Sequence, residues 1–385
     1  MAPRRTEKQD RAWRDPRDIV ALWQNSADVG AEDLHFKVVG AFWEVLERLR
    51  VTLLVSREYE HLLIALAPGR ISPLTSFMSL PHPSGIAVDH DRRAVHVAST
   101  RNPNLIVTLE PIQGLMKRAD LERPKLSVWP LMPSQLRFFP GCLYLHDLAI
   151  VGHKLYGNAV GMNAIVELSE TGTFNLSWWP KSIDRRGGPA TSQNYLQLNS
   201  IAAGPTLEES FFTASSARAG ALRPGHAAYP VNKRGVLFSG ATREPVVRGL
   251  TRPHSARVHR KAVWLANSGY GEFGLVRNDR FEVVQRFSGW TRGLCLVENI
   301  AFVGTSRVLP RFSQYAPGLN VETSRCGVHA VDLSSGRVIG SIVWPTGNQV
   351  FAIEAIPSAW ASTLPSSTGR TSKMIERSLY YAYMR

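Results

Sequence analysis

Ser84-Gly85-Ile86-Ala87-Val88, His146-Asp147-Leu148-Ala149-Ile150, Asn199-Ser200-Ile201-Ala202-Ala203, His254-Ser255-Ala256-Arg257-Val258 and Arg292-Gly293-Leu294-Cys295-Leu296 repeat one pattern. Each is a polar residue, a small or polar partner, then an apolar strand. Ile353-Glu354-Ala355-Ile356 returns to it more loosely. The copies recur at intervals of about 40 to 60 residues, in or somewhat above the range of propeller blades. Sheets arranged radially would bring all the polar starts together around one axis.

Outward from each copy the chain continues as β runs separated by turn residues such as Asn278-Asp279 and Ser334-Ser335-Gly336. After the copy at Ser84, runs are expected at 94–98 and 104–110, with an outer strand near 126–129. Three β runs, 51–55, 61–66 and 71–78, precede the first copy, and the last strand, 350–356, has no followers. Placing that last strand inside a sheet made of the first three leaves no open edge at either end. The expected fold is therefore all-β: a six-bladed β-propeller over residues 49–357, closed by N- and C-terminal strands. Residues 1–48 read as a short helical extension, with a helix start at Asp15-Pro16, one face formed by Ile19, Leu22 and Trp23, and a second turn at 41–46. Residues 358–385 are expected to form a flexible tail. Insertions at 182–193 and 309–325 are expected on or near the face that carries the polar starts.

The 385 residues carry a formal net charge of +14, and 44% are hydrophobic. No apolar run is long enough for a membrane span, and no secretory stretch follows Met1-Ala2-Pro3-Arg4-Arg5, so a cytoplasmic protein without a membrane partner is expected. Cys142, Cys295 and Cys326 are too few and too scattered for a disulfide framework or a zinc motif. The basic residues are spread along the chain with no recognition helix, zinc finger or stacking motif, which speaks against nucleic acid. A basic mouth that concentrates an anionic small-molecule or peptide ligand fits better. A protein partner stays open.

The candidate catalytic residues are His146, His254, Arg292 and Glu354, and the candidate ligand-binding residues are His82, Asn199, Asn267 and Arg101. His146 and His254 can hold a divalent transition metal, the candidate cofactor, with Glu354 or Asp147 as a carboxylate ligand. Without a metal, one imidazole abstracts a proton while Arg292 stabilises an enolate or oxyanion, and Asp147 orients a histidine. The expected function is an enzyme of lyase, isomerase or hydrolase type. The alternative is a non-enzymatic scaffold for a protein or an anionic ligand, and polar strand starts also serve simply to bond backbone and channel water. The chain has no phosphate-cradling glycine loop, no Gly-x-Ser-x-Gly elbow and no His-Glu-x-x-His.

Asn194-Tyr195-Leu196-Gln197-Leu198-Asn199, Arg252-Pro253-His254-Ser255, Trp264-Leu265-Ala266-Asn267-Ser268-Gly269 and Gly271-Glu272 together resemble an uncharacterised bacterial family of conserved hypothetical proteins, over about residues 38–357. That resemblance implies a six-bladed propeller and no particular activity. More distantly, the layout resembles gluconolactonases, paraoxonase-type lactonases, strictosidine-synthase-like enzymes and streptogramin lyases. These imply a metal or a histidine at the channel-facing ends of inner strands. Where the calcium-dependent members supply acids and amides, this chain has His146, Asn199, His254 and Arg292, which suits a hard oxygen-seeking cation poorly.

Overall fold

The computed structural model describes residues 16–24, 26, 29–69, 72–101, 104–116, 129–192, 194–222, 226, 228–367 and 382–383. Six antiparallel sheets form the blades of a propeller, each running from an inner to an outer strand. Blade 1 uses Pro83–Asp89, Ala94–Ser99, Asn104–Pro111 and Leu131–Phe139. Blade 2 uses Leu145–Val151, Lys154–Ala159, Ala164–Leu168 and Phe174–Trp178. Blade 3 uses Leu198–Ala202, Phe211–Ala214, Gly235–Ser239 and Pro245–Leu250. Blade 4 uses Pro253–His259, Ala262–Asn267, Glu272–Arg277 and Arg280–Arg286. Blade 5 uses Trp290–Val297, Ile300–Ser306, Cys326–Asp332 and Val338–Trp344. Blade 6 takes its inner strand, Ala352–Pro357, from the C-terminal side and Val51–Arg57, Leu62–Ala67 and Leu74–Ser79 from the N-terminal side, so the ring closes as expected.

Burial follows position in the blade. Val51–Arg57 and Leu62–Ala67 are buried at every residue because a neighbouring blade covers each face, so they read as continuous apolar runs. The outer strand Arg280–Arg286 exposes most of its side chains and is rich in charge. The core is a set of layers between adjacent blades. One gathers Leu54, Leu63, Ile86 and Val97 between blades 6 and 1, and another gathers Tyr156, Trp178, Phe212 and Phe238 between blades 2 and 3.

The repeated polar pair is a β-bulge. Pairing between the first and second strands shifts register between Pro83 and Ile86, Leu145 and Leu148, Leu198 and Ser200, His254 and Arg257, and Thr291 and Leu294. A bulge leaves backbone groups without ladder partners, and here the pair in the preceding blade satisfies them. Asp147 Oδ2 accepts from Ile201 N at 3.0 Å, Ser200 Oγ from Ala256 N at 2.9 Å and Ser255 Oγ from Gly293 N at 2.9 Å. Ser84 Oγ donates to the Leu145 carbonyl at 2.7 Å. Gly85 is small for a related reason: a Cβ there would lie 2.5 Å from Asp147 Cα. The motif is thus a chain of clasps running from blade to blade.

Several expectations need correction or extension. The outer strand of blade 1 is Leu131–Phe139, later than the stretch near 126–129, of which 126–128 lie outside the described residues. Helices are present at Pro16–Gln24 and Phe42–Leu49; the side chains of Ile19 and Leu22 are outside the described set. Phe42, Val45, Leu46 and Leu49 of the second helix are buried against blades 5 and 6. Lys37–Gly40, exposed throughout, adds a fifth strand to blade 5. Arg57, fully buried, stacks on Trp344, pairs with Glu60 at 3.1 Å and donates to the Asp33 carbonyl, tying the extension to the ring. Residues 358–367 pack on the propeller: Ala361 and Leu364 are buried and Ser366–Ser367 pairs with Leu74–Ser79. The insertion at 182–193 begins away from the face of the polar starts. Lys181 N–H donates to the Arg243 carbonyl and Asp184 pairs with Arg243 at 2.6 Å, in the turn at the opposite end of blade 3.

Candidate functional site

Two of the polar starts, His146 and Arg292, meet at one end of the channel. A cavity of about 400 Å³ opens there, and His146, Arg292 and Arg101 line it. Three further lining residues share a local cause. Tyr144, Gln197 and Arg252 each stand two positions before a polar start and each has a left-handed backbone, with φ of 48°, 48° and 53°. His82, two before Ser84, has φ 43°. In L-residues this conformation costs on the order of 1–2 kcal/mol. It turns the chain sharply into the inner strand and aims the side chain at the mouth. The offset from the repeated motif is the signal that would have found Arg252, Gln197 and Tyr144.

The insertion at 309–325 lies on the face of the polar starts, as expected, and forms one wall of the cavity. Phe312 and Tyr315 from the 3-10 helix Pro310–Tyr315 line the cavity. Tyr315, Trp290, Tyr229 and Val231 share an apolar cluster, and Gly318 N–H donates to the Gly269 carbonyl at 3.0 Å, so this wall is fastened to blade 4.

The two buried guanidiniums of the cavity each lie on an aromatic ring. Arg252 stacks on Tyr315 with its Cζ 4.6 Å from the ring centre, and Arg292 on Phe351 at 3.4 Å. The stacked faces leave the planar N–H forks free for hydrogen bonds. Gln197 Oε1 accepts from Arg252 Nη1. With the Gln349 amide turned to satisfy both neighbours, its oxygen accepts from Arg292 Nη1 at 3.0 Å and its nitrogen donates to Glu58 Oε2 at 3.0 Å. Thr100 Oγ1 donates to Glu58 Oε1 at 2.6 Å, and half-exposed Arg101 lies 3.7 Å from the same oxygen. Arg101, Arg252 and Arg292 thus face a single lining carboxylate, Glu58.

His254 is buried behind Trp290, with ring centres 6.1 Å apart, and His146 is partly buried with its ring 5.5 Å from Phe351. Burial holds both well below the ordinary histidine value, and Arg292 and Arg252 push in the same direction. Both imidazoles are neutral at pH 7. Burial also lowers Arg252 and Arg292 to about 10, which keeps both charged. Buried polar atoms without a protein partner concentrate here: His146 Nδ1, His254 Nε2, Arg252 Nε, Arg292 Nη2 and Trp290 Nε1. Buried polar atoms are rarely left unpaired.

The other candidates stand apart. His82 lies beside the cavity against His61, with ring centres 4.3 Å apart, and burial lowers it to about 4. Asn199 is structural: its amide donates to Ser215 Oγ at 3.2 Å and to the Pro253 carbonyl at 3.0 Å. Asn267 lies within blade 4, accepting from Thr251 N at 2.6 Å and donating to Glu272 Oε2 at 2.8 Å. Glu354 and Asp147 do not join the histidines. Deeper in the channel both pair with Arg257, at 3.1 and 2.8 Å.

A divalent transition metal does not fit this mouth. Among the described residues no group of three or more His, Cys, Asp or Glu is placed to hold one. The two buried guanidiniums that act on both imidazoles would also repel a cation. Among the described residues, no helix is long and apolar enough to cross a membrane.

Solved propellers resemble this architecture at low identity. The nidogen/laminin complex aligns with a TM-score of 0.52 at 9% identity, covering 80% of this chain and 99% of that one. A gluconolactonase from Xanthomonas campestris aligns with a TM-score of 0.43 at 12% identity, covering 77% and 86%. Apo AztD from Citrobacter koseri aligns with a TM-score of 0.38 at 11% identity, covering 80% and 97%. No curated protein matches the chain. A family model described as Domain of unknown function (DUF4915) matches residues 40–364, which takes in all six blades, the clasp motif and every residue of the mouth, and the chain therefore belongs to that family.

Proposed function

We propose that the mouth is an enzyme site that binds a small anionic molecule and moves a proton to or from it. The observation that carries this reading is the cluster of buried, unpartnered polar atoms on His146, His254, Arg252 and Arg292 at one end of the channel. The arginine forks hold the anion, and the aromatic walls of Trp290, Tyr315 and Phe351 keep water from competing for them. A neutral imidazole with a free ring nitrogen accepts a proton, and His146 is the one that lines the cavity. Arg292 Nη2 offers an N–H to the negative charge that develops as the proton leaves. Lyase and isomerase steps both begin this way.

The test is a thermal-shift screen of small carboxylates and phosphates at fixed ionic strength, followed by NMR of the hits in D2O. Binding of at least one anion, with exchange of one carbon-bound proton or conversion of the ligand, is the expected result. His146→Asn should abolish exchange while leaving binding within about threefold, and Arg292→Gln should weaken binding about tenfold or more. Anions that bind but neither exchange nor convert would favour the scaffold reading. A screen in which no anion binds would overturn the proposal.

A further inference from the structure

We infer that the ligand is a dicarboxylate whose two carboxylate groups are taken by two separately built forks, Arg252 and Arg292. This rests on the reading of the mouth as an anion site and goes beyond it by fixing charge and shape.

The two forks come from different parts of the ring. Arg252 enters on the link from blade 3 to blade 4, at its left-handed position, and Arg292 enters on the inner strand of blade 5. Each has its own aromatic support: Tyr315 and Trp290 for Arg252, Phe351 for Arg292. Each also has its own amide acceptor, Gln197 for Arg252 and Gln349 for Arg292. Each keeps an unpartnered, buried nitrogen, Nε on Arg252 and Nη2 on Arg292. One compact anion such as a phosphate would be expected to draw both guanidiniums onto a shared set of oxygens. Two forks with separate seats instead match two anionic groups held apart.

The charge balance agrees. Three lining guanidiniums face one lining carboxylate, and that carboxylate is already engaged by Thr100, Gln349 and Arg101. A monoanion would leave a buried guanidinium uncompensated, which is costly in a desolvated site. A dianion leaves none.

The experiment is isothermal calorimetry of the full chain at constant ionic strength with matched ligands: acetate, lactate, succinate, malate, fumarate, glycerol phosphate and inorganic phosphate. The expected result is that at least one four-carbon dicarboxylate binds about tenfold or more tightly than its monocarboxylate counterpart. Arg252→Gln should erase that advantage, bringing dicarboxylate affinity down to that of the monocarboxylate counterpart. The wild-type series decides the matter even if the variant fails to fold. Equal affinity for mono- and dicarboxylates, or tighter binding of the phosphates, would overturn the dicarboxylate inference and leave the anion site standing. No binding by any ligand would overturn both.

Discussion

Two carboxylates share one guanidinium in the channel beneath the histidines. Asp147 holds Arg257 with both oxygens, at 2.8 and 3.2 Å, and also accepts from Leu148 N and Ile201 N. Glu354 meets Arg257 with one oxygen only. It is the weaker partner: burial pushes its carboxyl up to about 7, Arg257 opposes that and Asp147 reinforces it. The histidines pull the other way with pH. The folded state lowers His82, His96 and His329 to about 4, and His146 and His254 below the ordinary 6.5. Below about 6.5 the unfolded chain gains protons that these rings refuse, so their contribution is complete above that pH and stability falls as pH drops. Between 4.5 and 7 the folded state keeps a proton on Glu354 that the unfolded chain has released. Its contribution therefore weakens as pH rises through that window. Removing it should expose the histidine effect alone: urea midpoints of Glu354→Gln should fall more steeply from pH 6.5 to 4.5 than those of the wild type. Parallel profiles would show that Glu354 is ionised throughout.

The clasp motif is the element whose meaning was most legible, and also the one with two meanings. Its period placed every inner strand because a bulge needs a polar or small pair just where an apolar strand begins, and sequence carries that directly. In the sequence the same pair also reads as the site. In the ring the second residue of the pair is spent on the backbone of the next blade in blades 2 to 4, and His146, His254 and Arg292 keep unpartnered atoms at the mouth. Asn199 and Glu354 were drawn into structure by neighbours far away in sequence, Pro253 and Arg257, and no local pattern announces such partners. Tertiary pairing also explains the missed strands. Lys37–Gly40 is exposed at every position and exists through its register with 340–343. Leu131–Phe139 is interrupted by Pro133 and by a run of exposed residues, so it lacks a strand period. If the clasps hold the blades together, Ser200→Ala should cost about 1–3 kcal/mol, because the buried Ala256 N–H loses its acceptor. Equilibrium urea unfolding reads this. A change below about 0.5 kcal/mol would mean that the N–H finds another acceptor and the clasp is dispensable.

At the scale of the molecule, closure makes a site out of six repeats. An open array of sheets would have two ends, and stability could be lost from either one. Here the last strand pairs with Val51–Arg57 at six consecutive positions, from Val51 with Pro357 to Ser56 with Ala352. Ile353 and Ile356 of that strand are fully buried in the layers on either side of blade 6. The strand also carries Glu354 to the shared guanidinium, and the segment leading into it carries Gln349 and Phe351 to the mouth. Closure and site assembly are therefore one event. Ending the chain after Gln349 removes that strand and leaves Val51–Arg57 without its inner partner, a long apolar edge inside the ring. Such an edge both loses its interblade burial and invites pairing with other chains. The full chain should melt in one transition by far-UV circular dichroism and by tryptophan fluorescence alike, because each blade leans on two neighbours. The shortened chain should aggregate or melt broadly, with the two probes no longer coincident and with no anion-induced shift. A shortened chain that kept one sharp transition within about 5 °C of the full chain would mean that five blades suffice. The segment from Val350 would then matter for the site through Phe351, the seat of Arg292, rather than for closure.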